Sequence, residues 1–425
     1  MKKELTVWGI SMLLSLSMTS LCVGAAVPAA TISAKDAAIE GFSLKDTEDE
    51  KPIEYLEDKD SIVGISETSS ASYTLPEDFE EGNYDVYLQI SKISSPFIGS
   101  STPVTVSVNG GELYVPTMRA ECFAPSEDEP DKTFVDEMGV FRIEENIDLK
   151  AGDTVSVSGI PGLEYFYMSY QSATPAIGDM YFYPSGTEVE QGYEGNTYVV
   201  KAEEKNESDP LSGLEIAWLG SSVTYGQSAG GYSMADAIED SHPATNSYKY
   251  VISGTTLAEY HSEHCLPVDG DGFHGSYVNR MRMISPDKHF DLFIVQLSTN
   301  DATGGIPLGE ISEGSELEDF DTSTVIGSME YIVKYVTETW NCPVMFYTGT
   351  KYDSEPYGEM VEATLKLQEK WHFGLIDLWN SEEMNTVSEE DYAKYMADGI
   401  HPNKAGYIEW WTPQFEAGIT EYLAK

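Results

Sequence analysis

Ser222, Asp398 and His401 are the residue types from which a nucleophilic hydroxyl, its base and an orienting acid can be assembled. A serine hydroxyl is a weak nucleophile until a base removes its proton, and the imidazole of His401 can do so. That imidazole needs a carboxylate to fix its tautomer and to stabilise the imidazolium that forms. Asp398, three residues upstream on the same short loop, can reach the second ring nitrogen. A tetrahedral oxyanion then needs fixed donors, for which the Ser222 N–H, the Gly254 N–H and the Asn300 side-chain amide are the candidates. Glycine at 254 lets backbone approach a substrate closely. Ser221 is the competing nucleophile, although neighbouring serines project differently from a strand-to-helix turn.

Each of these residues follows an apolar run. The runs lie at 214–219, 250–252, 292–297, 344–347 and 375–378, with helix-like stretches at 328–340, 357–371 and 404–423 between or after them. Continuously apolar strands separated by helices predict a parallel sheet of about five strands covered on both faces. Ligands of such sheets bind beyond the carboxyl ends of the strands. The chemistry is therefore expected in the segments just after the runs: Gly220-Ser221-Ser222, Ser253-Gly254-Thr255-Thr256, Ser298-Thr299-Asn300-Asp301 and Asp398-Gly399-Ile400-His401.

Taken in order, these blocks resemble those of the SGNH (GDSL-type) hydrolases, a family of serine esterases and lipases. The resemblance covers the C-terminal half and implies a three-layer α/β/α, flavodoxin-like domain over 213–425. It implies Ser222 as nucleophile, Asp398 and His401 as its acid and base, and Gly254 and Asn300 beside the Ser222 N–H in the oxyanion hole. Two positions depart from the family pattern: Ser221 stands where an aspartate is usual, and Ser298 where a glycine is usual. The first bears on support of the nucleophile loop, the second on the approach to the oxyanion site.

The N-terminal half has another rhythm. Short alternating segments at 71–75, 84–90, 104–108, 140–147, 154–157 and 180–183 predict an all-β sandwich over 27–190. Asn109-Gly110 and Ala151-Gly152-Asp153 are expected to close hairpins. Tyr84-Asp85-Val86-Tyr87, Asn109-Gly110, Leu149-Lys150-Ala151-Gly152-Asp153 and Ile177-Gly178-Asp179-Met180 resemble the jelly-roll modules that accompany carbohydrate-active enzymes. Tyr165, Phe166, Tyr167 and Tyr170 would then line a sugar platform or, as strand aromatics commonly do, fill a core. The polar segment 191–212 reads as a linker, with a strand at 198–200 as the alternative.

Composition narrows the functional classes. The 425 residues carry 72 acidic against 24 basic side chains, a formal net charge of -48, which repels phosphate backbones and anionic headgroups. Nucleic-acid and membrane-surface partners are disfavoured. The acidity reads as a solvated surface, with calcium in the β half as the alternative. Residues 1–26 read as a cleaved export signal: Lys2 and Lys3, an apolar run, then small residues to Ala26. After cleavage Cys122, Cys265 and Cys342 remain, too few for a disulfide framework. His261, His264, Cys265, Asp269, Asp271 and His274 form a dense set of metal-ligand types, but their spacing matches no established pattern and serine chemistry needs no metal, so no metal or other cofactor is expected. The combined expectation is a secreted or cell-surface serine esterase that removes short acyl groups, acetyl first, from an extracellular carbohydrate. The alternatives are a surface glycan-binding protein with an inactive hydrolase-like half, and a lipase acting on other esters.

Overall fold

The computed structural model describes residues 26–44, 50–65, 69–94, 104–111, 122–123, 134–159, 176–193, 196–200, 205–259 and 276–425. The expected export signal as far as Ala25, the aromatic run 165–170 and the histidine-rich segment 261–274 lie outside the described residues.

The first unit is built from β1 (Ala30–Ile32), β2 (Ala38–Leu44), β3 (Glu50–Pro52), β4 (Glu54–Leu56), β5 (Ser61–Val63), β6 (Ser69–Thr74) and β7 (Gly82–Ser94). It continues with β8 (Val104–Val108), β9 (Cys122–Phe123), β10 (Phe134–Leu149), β11 (Thr154–Gly159), β12 (Ile177–Pro184), β13 (Val189–Tyr193) and β14 (Asn196–Val200). One sheet runs β14-β13-β10-β7-β12-β5-β4, with β1 on β12 and β9 on β7; the other runs β3-β2-β6-β11-β8. Alternation makes the core. Ala71, Tyr73, Val104, Val106, Val155 and Val157 turn inward from the smaller sheet, and meet Val86, Leu88, Phe141, Ile143, Met180 and Phe182 from the larger. The Tyr73 hydroxyl crosses between the sheets to donate to the Gly178 carbonyl (2.8 Å).

Two expectations change here. Asn109 and Gly110 do take positive φ (52° and 68°), but among the described residues neither turn closes a hairpin: β8 pairs with β11 and β9 with β7, and across the turn at Gly152 (φ 83°) β10 pairs with β7 and β13 whereas β11 pairs with β6 and β8. A left-handed residue reverses the chain without choosing the sheet that the next strand joins. The linker expected at 191–212 is also part strand: β13 and β14 pair along their full length and extend the larger sheet as far as Val200.

The second unit is a parallel sheet in the order β16-β15-β17-β18-β19. Its strands are β15 (Glu215–Gly220), β16 (Asn246–Val251), β17 (Leu292–Gln296), β18 (Val344–Tyr347) and β19 (Gly374–Ile376). Its helices are α1 (Ser222–Tyr225), α2 (Met234–Ser241), α3 (Tyr277–Arg282), α4 (Thr299–Gly304), α5 (Val325–Trp340), α6 (Glu355–Trp371), α7 (Glu382–Asn385), α8 (Glu389–Tyr395) and α9 (Thr412–Leu423). Successive strand residues serve opposite faces. Ile216, Trp218 and Ile294 pack with Ile238 of α2 and Phe415 of α9, whereas Ala217, Leu219 and Phe293 pack with Met281 of α3, Met329 of α5 and Leu367 of α6. The stretch 404–423, expected as one helix, divides: a π-helical turn covers Gly406–Trp411 before α9. The Tyr407 carbonyl accepts both the backbone N–H of Thr412 and its hydroxyl (2.7 Å), and Pro413, which has no N–H to donate, follows at the start of α9.

The two units meet at the amino ends of the parallel strands. Lys288 pairs with Glu144 of β10 (2.9 Å), and the Tyr248 hydroxyl hydrogen-bonds with the carboxyls of Glu145 of β10 and of Glu215, the first residue of β15. Arg142 holds Glu145 from the sandwich side (3.0 Å). Burial, and then the charge of Glu145, push Glu215 up to about 7 from an ordinary 4.5. The folded protein thus keeps a proton that the unfolded chain loses between those values, so this group makes folding less favourable as pH rises through that window. Between about pH 5 and about pH 8 the parent is expected to lose more thermal stability than Glu215→Gln does. Thermal melts at both pH values check this, and parallel slopes would refute it.

Candidate active site

The strand order puts β15 between β16 and β17, so three segments that leave the carboxyl ends of neighbouring strands meet at one place. From β15 the chain turns directly into α1, of which Ser222 is the first residue. Gly220 ends the strand under crowding: a Cβ there would lie 1.8 Å from Thr224 Oγ1. Gln296 at the end of β17 fastens the turn, its Oε1 accepting from Ser221 N (2.9 Å), Thr224 N (3.3 Å) and Thr224 Oγ1 (2.7 Å). The Tyr407 hydroxyl donates to the Val223 carbonyl (2.7 Å). On the exit side, buried Lys249 donates to the carbonyls of Tyr225 (2.9 Å) and Gly231 (2.8 Å) and pairs with Asp236 (2.7 Å).

Ser222 Oγ lies 2.8 Å from His401 Nε2, and His401 Nδ1 lies 2.8 Å from Asp398 Oδ2. An ionised carboxylate only accepts, so Nδ1 carries the proton and donates it to Asp398, leaving the Nε2 lone pair for the Ser222 hydroxyl. Asp398 is held in turn. Its Oδ1 accepts the backbone N–H groups of Ile400 (2.7 Å) and His401 (2.8 Å). Burial alone would raise Asp398, but these N–H groups and the His401 ring outweigh it and hold the carboxyl below its ordinary range. The Asp398 side chain is 55% exposed against 17% for His401, so solvent screens its charge and its main action on the ring is orientation.

The other two strand ends carry Gly254 and Asn300. Gly254 takes φ 78° in the turn after β16. Asn300 sits in the first turn of α4 and its Nδ2 donates to the Thr255 carbonyl (2.8 Å), which aims the amide and leaves its second hydrogen for another acceptor. Ser222 opens α1, so its N–H has no acceptor within that helix. Buried Asp301 accepts from Leu257 N (2.7 Å) and Ala258 N (3.1 Å), tying the 254–258 turn to α4. Burial lifts its carboxyl to about 6 against those hydrogen bonds.

The two departures noted in the sequence have plain structural places. Ser221 is fully buried, and the imidazole bonds Ser222 rather than Ser221. Ser298 turns back on its own helix, capping α4 by accepting from Asn300 N (3.2 Å). Gln296, Lys249 and Tyr407 were not anticipated. Gln296 lies inside the apolar run 292–297 and Lys249 immediately before the run 250–252, and a buried polar group implies a partner without naming it. Among the described residues no cluster of His, Cys, Asp and Glu could hold a metal ion, and no helix is long and apolar enough to cross a membrane.

No protein-family model matches the chain, and no curated protein matches it. Solved structures similar to it include a family two carbohydrate esterase from Cellvibrio japonicus, 14% identical, over 93% of this chain and 98% of that one, with a TM-score of 0.35. A second family two carbohydrate esterase, from Clostridium thermocellum in complex with cellohexaose, is 9% identical over 91% of this chain and 99% of that one, with a TM-score of 0.38. A protein described as a GDSL-like lipase, from Bacteroides ovatus, is 18% identical over 50% of this chain and 99% of that one, with a TM-score of 0.32. At these identities and TM-scores, nothing about the chemistry of this chain follows from the neighbours.

Gly226 ends α1 at φ 89°, and a Cβ there would meet the backbone of Tyr232 at 2.3 Å. Gly226→Ala is expected to destabilise the protein by more than about 1 kcal/mol and to disturb the Ser222 turn. A denaturant melt with an unchanged midpoint would contradict this.

Proposed function

We propose that the chain is a serine ester hydrolase in which Ser222 is the nucleophile, His401 the general base and Asp398 the residue that orients it. The carrying observation is the unbroken line of hydrogen bonds from Ser222 Oγ through His401 to Asp398. Ser222 Oγ attacks the ester carbonyl carbon as its proton passes to His401 Nε2. The oxyanion that forms is received by the N–H groups of Ser222 and Gly254 and by the Asn300 amide. His401 then gives the proton to the departing alcohol oxygen, leaving an acyl-serine. Water, activated by the same imidazole, releases the acid and restores the enzyme.

The acyl group in this reading is short, acetyl first. Support comes from the segments around the proposed nucleophile, Ser221-Ser222, Ser253-Gly254-Thr255-Thr256 and Ser298-Thr299-Asn300, whose polar make-up suits a short acyl group better than a long one. The alcohol part in this reading is a carbohydrate met after export. Support comes from the sandwich, whose chain changes sheet at each step from β6 to β12 save from β9 to β10, a pattern that suits a jelly-roll carbohydrate module.

Ser222→Ala is expected to lower hydrolysis of a short aryl ester at least about a thousandfold and to abolish labelling by a fluorophosphonate. A folded Ser222→Ala protein with the parental rate would overturn the assignment. Acetate release from acetylated polysaccharides, scored against aryl butyrate and longer esters, tests the substrate class.

A further inference from the structure

We propose that Arg280 is a positioning residue that locks the nucleophile turn to the oxyanion turn; the inference rests on Ser222 acting as the nucleophile. Arg280 belongs to α3 and is fully buried. Its Nη2 donates to the Gly220 carbonyl (2.8 Å), its Nε donates to the Tyr250 carbonyl (3.0 Å), and Nη1 and Nη2 each lie 3.4 Å from Thr255 Oγ1. The guanidinium carbon stands 5.3 Å from the centre of the Tyr277 ring. One planar group therefore spans the end of β15, two residues before Ser222, and the turn after β16 that carries Gly254 and Thr255.

The connection continues beyond Thr255, because the carbonyl of that residue receives the Asn300 amide. Arg280 thus bears on all three proposed oxyanion donors while touching none of the reacting atoms. A buried cation is costly to desolvate, and apolar side chains fill helix-to-sheet contacts without that cost. Arginine suits this place because its rigid fork can address acceptors on two strands at once, which the single ammonium of lysine cannot reproduce. Loss of the fork changes where the donors stand relative to the developing oxyanion, and so affects the transition state more than substrate binding.

The test uses the full chain with a short aryl ester. Arg280→Lys and Arg280→Ala are expected to lower kcat about 100-fold with KM within about twofold of the parent, and to slow fluorophosphonate labelling of Ser222 in proportion to kcat. Millimolar guanidinium is expected to raise kcat of Arg280→Ala several-fold without raising that of the parent, a rescue that a general loss of packing does not show. Folded variants with parental kcat would overturn the proposal, as would a loss of kcat that guanidinium leaves untouched. Should both variants fail to fold, Thr255→Val, which removes the hydroxyl facing the guanidinium, is expected to lower kcat about tenfold in protein that a melt shows to be folded at the assay temperature, and parental kcat there would overturn the proposal as well. A parent that neither hydrolyses the ester nor takes the label sinks the esterase reading itself; an active parent with indifferent variants sinks only the role of Arg280.

Discussion

The hydrogen bond between Ser222 Oγ and His401 Nε2 joins residues 179 apart in the chain, and much of the second unit is arranged around keeping it at 2.8 Å. Neither partner is placed by its own segment alone. Ser222 depends on β15 arriving between β16 and β17, and His401 depends on a loop folded back on Asp398 after the last strand. A doubly wound sheet suits this demand because its connections return every strand in the same direction, so segments remote in sequence leave from one edge. The stiffness comes from packing: Trp218 and Phe415 under one face and Leu219 and Phe293 under the other leave β15 little freedom to shift.

Around that bond the interior is unusually polar for a sheet core. Gln296, Thr224, Lys249, Asp236, Asp301 and Arg280 are all buried. Each would be a liability unpaired, since a buried polar group without a partner costs about 1–3 kcal/mol. Their recorded partners are mostly backbone groups in turns: Ser221 N for Gln296, the Tyr225 carbonyl for Lys249, Leu257 N for Asp301 and the Gly220 carbonyl for Arg280. Turns at strand ends lack the ladder bonds that satisfy strands, and these side chains take the place of the missing ladder.

What the residues alone disclosed follows from this division of labour. The parallel strands were legible because burial on both faces writes continuous apolar runs, as in Leu292–Gln296. The meeting of Ser222, His401 and Asp398 was legible because nucleophilic chemistry restricts the residue types and the fold restricts where they fall. Arg280, Gln296 and Lys249 were not, because their partners are backbone atoms of remote segments, which carry no signature in composition. The hairpin reading at Ala151-Gly152-Asp153 failed for a related reason: local turn chemistry is blind to the choice between two sheets. Strand β13 was hidden by Glu190, Gln191 and Gly192, which break its apolar pattern, whereas Tyr198–Val200 of the edge strand β14 had offered a strand as the alternative to the linker.

The described contacts between the two units, through Glu144, Glu145, Tyr248 and Lys288, lie at the amino ends of strands whose carboxyl ends carry Ser222. The six residues of β15 span about 20 Å, so the junction stands a full strand length from the Ser222 hydroxyl. With that spacing the sandwich contributes no wall to the cleft through this junction. A polymer gripped by it would instead be tethered, with any advantage arising from raised local concentration of acyl groups along the same fibre rather than from a tighter fit at Ser222.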